Sequence, residues 1–365
     1  MSQLNGRIKK FLQSSFPPER MLRNYVKLSQ TTCSNSRNDG IKAAVCEELG
    51  KPLKIKTLPR PSMEEHEVRI GVHYAAVNFG DVLQIQGKYQ EKPRLPFVPG
   101  AEFSGKITQV SKGEEDFEVG DHVAAISLKP CALAEEACVP KGTIFKIPKS
   151  VPLQYGAASL TSYGTAWLAL KRTANIQEGQ TVFVSAAAGA VGLALVDLAA
   201  NIFGCNVIGA VGSDAKAKIV LEKGAKHVVN YTNENIRDKV KELTEGKGVD
   251  IALDSVGGDI FIDCLKSLAF EGILVTIGYA GGTIPKVPAN LLLLKSCSVK
   301  GIYWGGYAFK NPILFKESID ATLKYMEEGK ISPVYTDQFQ LENANEAYEY
   351  LANRKSIGKV LIRLT

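Results

Sequence analysis

The stretch VSAAAGAVGLALV, from Val184 to Val196, places two glycines between a strand-like run and a helix-like run. In the dinucleotide fingerprint G-x-G-x-x-G, the first glycine makes the tight turn, the second admits the backbone to the pyrophosphate and the third lets helix meet strand. These positions are Ala187, Gly189 and Gly192 here. Backbone amides at the start of a helix suit a diphosphate. The stretch therefore favours a dinucleotide-binding turn over a turn that only packs a helix on a sheet.

From this turn onward, strand-like runs alternate with helix-like runs. The predicted strands are near-continuous hydrophobic segments, which lie at residues 181–187, 206–211, 227–231, 249–254, 273–277 and 298–303. Between the first two, apolar residues recur at helical spacing from Val191 to Ile202. Hydrophobic strands separated by helices indicate a parallel sheet covered on both faces, which is the doubly wound α/β fold. We predict that this six-stranded domain spans residues 162–304.

The chain before this domain has a different pattern of hydrophobic residues. Residues 41–161 contain short alternating or β-branched runs, such as FSGKITQV and GTIFKIP, separated by glycine and proline. Such spacing predicts a compact β-rich domain. The tail shows helical patterns over 311–329 and 342–356 and a last strand, GKVLIRL. We expect residues 305–365 to return and complete the first domain.

Composition limits the classes of partner. The chain has 365 residues, of which 45% are hydrophobic, and this is enough for two domains. Its basic excess lies mainly in the first 40 residues, so the near-neutral remainder does not favour a nucleic-acid partner. Seven cysteines without a C-x-x-C pair favour free thiols in a reducing compartment. The uncharged stretch at residues 179–196 is broken by serine and glycine, so we expect no membrane span.

Residues 1–40 differ from the rest of the chain. They are basic, poor in acids and rich in serine, threonine, asparagine and glutamine. Leu4, Ile8, Phe11 and Leu12 recur there at helical spacing. This combination favours a mitochondrial presequence, and hence a location in the matrix, over a disordered basic tail on a cytoplasmic protein.

The end of the second predicted strand bears on the choice of dinucleotide. An acid there would hydrogen-bond a ribose 2′-hydroxyl, whereas a basic group would hold a 2′-phosphate. No acid closes this strand, and both Ser213 and Lys216 can bind a phosphate. The pattern favours NADPH over NADH, and Asp214 is the residue that argues for NADH.

Several longer motifs carry a resemblance to a known family. They are AAVNFGDVLQIQGKY (75–89), PFVPGAEFSGKITQVSKG (96–113), VGDHVAA (119–125), LTSYGTAWLAL (160–170), VSAAAGAVGLAL and the closing GKVLIRL. Over residues 41–365 the chain resembles the zinc-free quinone oxidoreductase branch of the medium-chain dehydrogenase/reductase family. The resemblance implies a GroES-like catalytic domain joined to a Rossmann domain, with the active site in the cleft between them. It also implies a homo-oligomer, either a dimer or a tetramer.

The resemblance also bears on metal binding. Zinc-containing members of the family have a catalytic cysteine and histidine where this chain has Asn78 and Ala101. Neither an amide nor a methyl group replaces a zinc ligand. We therefore expect no metal, and a reaction that is carried mostly by the cofactor.

The same resemblance implies which residues form the site. The family pattern N-x-x-D…G-x-Y matches Asn78, Asp81 and Tyr89, which we expect beside the nicotinamide and substrate. Tyr89 is the candidate proton donor or orienter, because a phenol can hydrogen-bond a carbonyl oxygen whose negative charge grows. Positions that line the dinucleotide in the family match Thr161, Gly189, Ala190, Val191, Gly192, Ser213, Lys216, Tyr231, Ser255, Val256, Ile277, Tyr279, Tyr303 and Arg354.

Together these observations predict an NADPH-dependent reductase of quinones or α,β-unsaturated carbonyls. Two alternatives stay open. One is a mitochondrial 2-enoyl-thioester reductase, because the Q-G-x-Y loop of such enzymes resembles Gln86–Tyr89. The other is a cofactor-binding protein with a structural or RNA-binding role and little turnover.

Overall fold

The computed structural model of the protein describes residues 40–89 and 92–365. Within these ranges the backbone forms fifteen strands, arranged in three sheets, and ten α-helices. The segment interpreted as a presequence lies, apart from Gly40, outside the described residues.

The first part of the described chain builds a hairpin and a seven-stranded sheet. The hairpin consists of β1 (Gly40–Val45) and β2 (Lys54–Pro59), and the sheet of β3 (Glu67–Val77), β4 (Glu102–Gln109), β5 (His122–Ile126), β6 (Glu136–Pro140), β7 (Ile144–Lys146), β14 (Tyr335–Gln340) and β15 (Lys359–Arg363). The strand order is β14-β15-β3-β4-β5-β7, and β6 pairs with β3. Strand β3 buries Val68, Ile70 and Val72 alternately, as the period of two requires. The last two strands bring the tail of the chain into this sheet.

The second sheet is parallel and has six strands. They are β8 (Thr181–Val184), β9 (Asn206–Val211), β10 (His227–Asn230), β11 (Val249–Asp254), β12 (Leu268–Thr276) and β13 (Ser298–Gly301). Their order is β10-β9-β8-β11-β12-β13, with every neighbouring pair parallel. The order reverses between β8 and β11, which opens a crevice at their carboxyl ends. The predicted fold class, a β-rich domain with a doubly wound six-stranded sheet, is confirmed.

Helices cover the sheets and connect their strands. They are α1 (Phe79–Ile85), α2 (Leu153–Trp167), α3 (Ala190–Asn201), α4 (Asp214–Glu222), α5 (Ile236–Leu243), α6 (Gly258–Ser267), α7 (Ala289–Lys295), α8 (Trp304–Lys310), α9 (Pro312–Glu327) and α10 (Ala344–Ala352). Helix α10 ends four residues before the predicted boundary, and Arg354 just beyond it has a φ of +57°, which no helix accommodates. No helix among the described residues is both long and apolar enough to cross a bilayer.

Helix α2 is the element that the sequence pattern does not predict. It crosses residue 161, where we expect the first domain to end, and continues through a π-helical segment at Leu168–Ala174. Eleven of its fifteen residues are buried, so it has no polar face from which a helical period could be recognised. It packs against the seven-stranded sheet on one side and against α3 and α9 on the other. One buried helix therefore lies between the seven-stranded sheet and helices α3 and α9.

Candidate active site

The glycine turn follows β8 and lies at the crevice where the strand order reverses. A Cβ atom on Gly192 would lie 2.2 Å from the carbonyl oxygen of Ala186, so only glycine permits this approach of helix and turn. Ala186 itself has a φ of +45°. The left-handed residue therefore precedes Ala187, the position that the fingerprint assigns to the tight turn.

Helix α3 offers backbone amides to this turn. Gly189 is its N-cap, and Ala190 and Val191 are its first two residues, both partly exposed. The first N–H groups of a helix have no partner within the helix, and the helix dipole favours an anion beside them. The start of α3 therefore fits a diphosphate, in agreement with the pattern in the sequence.

A buried carboxylate ties this turn to the loop after β11. Asp254 is completely buried, and its Oδ1 accepts a hydrogen bond from Ser185 Oγ at 2.6 Å. The same carboxylate accepts from the backbone N–H groups of Val256 and Gly257 at 3.0 and 2.9 Å. The Ser255 N–H donates to Ser185 Oγ at 3.1 Å. Ser255 and Val256, both predicted to line the cofactor, are thus held beside the glycine turn.

The end of β9 gathers the residues predicted to choose between the two dinucleotides. Ser213 is the N-cap of α4 and makes no side-chain capping hydrogen bond within the described chain. Lys216 Nζ donates to the carbonyl oxygen of Arg354 at 2.7 Å, and burial lowers the pKa of its ammonium group. Asp214 accepts a hydrogen bond from Asn230 Nδ2 at 2.7 Å. The structure thus brings Lys216 and Arg354 together, although 138 residues separate them in the sequence.

The remaining predicted cofactor residues lie at the ends of neighbouring strands. Tyr231 follows β10, and its hydroxyl oxygen would be 2.9 Å from a Cβ atom on Gly212, just after β9. Ile277 follows β12 and donates its backbone N–H to the carbonyl oxygen of Asp254 at 2.7 Å. Tyr279 and Tyr303, after β12 and β13, are 39% and 65% exposed and so are open to a ligand.

A second group of predicted site residues surrounds Asn78, which is the N-cap of α1. Its Nδ2 donates to Glu102 Oε2 at 2.9 Å, and its Oδ1 accepts from Lys359 Nζ at 2.7 Å. Lys359 also donates to Glu102 Oε2 at 2.9 Å, and the two charged residues are only 2% and 0% exposed. The other oxygen of Glu102 accepts from the backbone N–H of Thr161 at 2.8 Å. Asn78 and Thr161 are therefore connected through one buried ion pair.

Asp81 and Tyr89 lie close to Asn78 because all three belong to helix α1 and the turn after it. Asp81 Oδ2 accepts a hydrogen bond from the backbone N–H of Asn78 at 2.8 Å. Burial raises the pKa of the Asp81 carboxyl to about 7 against the opposing effect of this hydrogen bond. The Tyr89 ring packs on the helix start, with Cε2 3.5 Å from where a Cβ on Gly80 would lie. The structure thus brings the three predicted catalytic residues together.

The glycine turn and the group of residues around Asn78 both contact two adjacent residues of the tail. The Gly358 N–H donates to the carbonyl oxygen of Ala188 at 2.9 Å, and Gly358 forms an isolated bridge with Gly189. The next residue is Lys359, whose ammonium contacts Asn78 and Glu102. The two halves of the candidate site are thus joined by a single dipeptide.

The residues around Asn78 do not fit a zinc ion. The Lys359 ammonium already contacts the Asn78 and Glu102 oxygens that a cation would need. A second positive ion against it would be strongly repelled in a buried place. In the described ranges, no group of three or more histidine, cysteine, aspartate or glutamate side chains is arranged to hold a metal.

The sequence pattern did not predict four residues that the structure places in the site: Glu102, Lys359, Asp254 and Gly358. Glu102 and Lys359 lie inside two motifs that carry the family resemblance, PGAEFSG and GKVLIRL. Each is a charged residue in a hydrophobic strand, and this exception could have indicated a role in the site. Asp254 likewise closes a hydrophobic strand at the end where ligands bind. Gly358 gave no such signal, because its contact is made by its backbone.

Known families and proteins match the chain over nearly all of the described residues. A family model for the alcohol dehydrogenase GroES-like domain matches residues 64–149, and one for zinc-binding dehydrogenase matches residues 190–320. The quinone oxidoreductase-like protein 2 homolog of Nematostella vectensis is 44% identical over 356 residues, or 95% of this chain and 97% of that protein. Quinone oxidoreductase-like protein 2 of Mus musculus is 46% identical over 324 residues, or 88% of this chain and 92% of that protein.

A solved structure also matches. The structure of Escherichia coli quinone oxidoreductase complexed with NADPH superposes with a TM-score of 0.79 and is 26% identical in sequence. The match covers 89% of this chain and 99% of that one. At this coverage the similarity includes both large sheets and the crevice at the carboxyl ends of β8 and β11.

Proposed function

Since this chain belongs to the quinone oxidoreductase branch of the medium-chain dehydrogenase/reductase family, we propose that it transfers hydride from NADPH to a quinone or an α,β-unsaturated carbonyl. The observation that carries the proposal is the contact of Gly358 and Lys359 with the two halves of the site. With the diphosphate held on one side, the nicotinamide of the same cofactor would lie next to an electron-poor acceptor on the other side. Hydride transfer requires this juxtaposition of the two reactants.

The cofactor end of the site supports NADPH. The opening amides of α3 would hold the diphosphate. Among the described residues, the Lys216 ammonium has one hydrogen-bond acceptor, the Arg354 carbonyl, which leaves donors for a 2′-phosphate. Ser213 adds a hydroxyl at the same helix start. Asp214 is already engaged by Asn230, which weakens the argument for NADH.

The acceptor end of the site supports reduction without a metal. When bound, the nicotinamide supplies a hydride to an electron-poor carbon. Negative charge then grows on the acceptor's carbonyl oxygen, where the Tyr89 hydroxyl and the Asn78 amide are the donors that would stabilise it. Tyr89 would also orient the carbonyl or deliver the proton. The buried Asp81 fixes the start of α1, and thereby the backbone of Asn78.

The test is oxidation of NADPH and NADH by a panel of quinones, enones and enoyl thioesters. We expect NADPH to be oxidised by a quinone or an enone, with no loss of rate after treatment with a chelator. Tyr89→Phe should lower kcat about 10²- to 10⁴-fold, as expected when a general acid is lost, while the Kd for NADPH is unchanged. Lack of binding of either coenzyme in calorimetry would overturn the proposal. Turnover of enoyl thioesters alone would replace it with the thioester reductase.

A further inference from the structure

We infer that Lys359 and Glu102 are positioning residues that hold the Asn78 carboxamide in one orientation, so that its second N–H is kept for the acceptor's carbonyl oxygen. The inference rests on the proposed function, because it adds two residues to the same site. Neither residue is a catalytic group, since each acts through Asn78.

The charges of the two partners decide which way the amide faces. An ammonium group can only donate a hydrogen bond, and a carboxylate can only accept one. Lys359 Nζ lies 2.7 Å from Asn78 Oδ1, and Glu102 Oε2 lies 2.9 Å from Asn78 Nδ2. Rotating the amide by half a turn would oppose donor to donor and acceptor to acceptor. Only one orientation is therefore compatible with the pair.

The pair itself is held rigidly. Glu102 lies on β4, accepts from the Thr161 backbone on α2, and contacts Lys359 on β15 at 2.9 Å. Three separate elements therefore fix the two charges. A buried ion pair contributes little net stability compared with apolar residues of the same size. Its position around Asn78 is better explained by the orientation that it imposes.

The arrangement leaves one hydrogen of Asn78 for a ligand. The amide nitrogen has two, and within the described part of the chain it donates to Glu102 alone. The backbone N–H of Asn78 is occupied by Asp81. A preoriented donor stabilises growing negative charge without having to reorganise during the reaction.

The test is a double-mutant cycle with Asn78→Ala, Lys359→Met and the two combined. Each single variant should lower kcat/KM for the acceptor about 10²-fold, the size of one lost oxyanion donor, while the Kd for NADPH changes less than about 3-fold. The combined variant should be no slower than Asn78→Ala alone, because Lys359 acts only through Asn78. Losses that multiply would show that Lys359 acts independently and would overturn the inference. An unchanged kcat/KM in Lys359→Met would also overturn it.

Two further variants separate positioning from folding. Lys223→Met removes another buried lysine, 3.1 Å from Asp197, and should lower the Tm without changing kcat/KM of the folded enzyme. Glu102→Gln combined with Lys359→Met leaves no unpaired buried charge. Because glutamine can both donate and accept, it no longer dictates the Asn78 orientation. We expect this more stable variant to be as slow as Lys359→Met, and wild-type activity in it would overturn the inference.

A spectroscopic measurement tests the orientation without turnover. In the full chain labelled with ¹⁵N, the side-chain amide signals of Asn78 are assigned by their loss in Asn78→Ala. Lys359→Met should shift these signals and speed the exchange of their hydrogens, whereas Lys223→Met should leave them in place. Unmoved signals in Lys359→Met would overturn the inference. A wild type that oxidises no acceptor but shows the expected shifts would refute the proposed function and leave the positioning intact.

Discussion

Gly189 and Gly192 stand three residues apart in the cofactor turn, yet a methyl group would meet different surroundings at each. At Gly192 a Cβ atom would lie 2.2 Å from a backbone oxygen and 2.8 Å from the Cα atom of Ala187. At Gly189 the nearest atom would be 3.4 Å away, and the φ of −76° suits any residue. One glycine therefore serves the fold and the other leaves room for a ligand.

We expect Gly192→Ala to lower the free energy of unfolding by about 3 kcal/mol, at the upper end of the range for overpacking. Gly189→Ala should change it by less than about 1 kcal/mol, the loss expected at an N-cap. Gly189→Ala should instead weaken NADPH binding, because its methyl group would lie where the diphosphate approaches the helix. Urea denaturation without cofactor and calorimetry with NADPH measure the two effects. Equal losses of stability in both variants would contradict this division of roles.

Lys216 decides, in the proposed site, whether a 2′-phosphate is recognised. Lys216→Ala should raise the Kd for NADPH about 10- to 100-fold, which corresponds to a charge-assisted hydrogen bond of roughly 1.5 to 3 kcal/mol. The Kd for NADH should stay the same, since NADH lacks the phosphate. Lys218 on the same helix is 82% exposed and paired with Glu222, so Lys218→Ala is the matched control. An equal effect of Lys216→Ala on both coenzymes would place the phosphate elsewhere.

At the scale of elements, helix α1 carries a buried acid in its first turn. Burial raises the pKa of the Asp81 carboxyl from 3.8 to about 7, and nearby Glu102 raises it while Lys359 lowers it. The folded protein therefore binds this proton more tightly than the unfolded chain does. The resulting stabilisation is complete below the unfolded pKa and is lost as the pH rises through the folded pKa.

Asp81→Asn removes this titration but keeps an oxygen that can accept from the Asn78 backbone. We expect the variant to be more stable than the wild type at about pH 8, by roughly 2 to 4 kcal/mol, since three pKa units set the upper limit. The advantage should shrink toward about pH 4, where both forms are neutral. Urea denaturation of both proteins across this pH range gives the free energy of unfolding of each as a function of pH. Parallel curves for Asp81→Asn and the wild type would refute the assigned pKa.

The elements show what a linear pattern can and cannot predict. Strands β9 and β11 match the predicted 206–211 and 249–254, because each is a hydrophobic run that ends at a turn or cap residue. Strand β12 begins at Leu268, five residues before its prediction, since Phe270 is 70% exposed and Glu271 has a φ of +61°. These exposed residues interrupt the apolar run without ending the strand.

The candidate site also contains both local contacts, between residues close in sequence, and contacts between distant parts of the chain. Asn78, Asp81 and Tyr89 come together through local geometry, because they share one short helix and the turn after it, and their spacing is visible in the sequence. The contact of Lys359 with Glu102 spans 257 residues. Only the strand order of the folded sheet, which places β15 two strands from β4, determines it. The family resemblance therefore predicted the groups proposed to face a ligand, whereas the residues that hold Asn78 depend on the topology of the sheet.

At the scale of the whole molecule, a second buried cluster ties the parallel sheet's helices to the tail. Lys223, at the end of α4, donates to Asp197 Oδ2 on α3 at 3.1 Å and to Ser332 Oγ before β14 at 2.8 Å. Tyr163 on α2 donates to the same Asp197 oxygen at 2.7 Å, and its burial raises the pKa of its hydroxyl well above the usual value. The cluster therefore joins helices α2, α3 and α4 to the tail just before β14.

Removing one charge from this cluster should test whether the ion pair itself adds stability to the fold. Lys223→Met leaves the Asp197 carboxylate buried and unpaired, which should lower the free energy of unfolding by about 3 to 5 kcal/mol in urea denaturation. Adding Asp197→Asn should restore most of this loss, because no buried charge is then left unpaired, while Tyr163 and Asn201 keep a polar partner. If the double variant is as unstable as the single one, the ion pair itself supplies the stability. If it recovers, the buried charge without a partner, and not the loss of the pair itself, accounts for the instability of Lys223→Met.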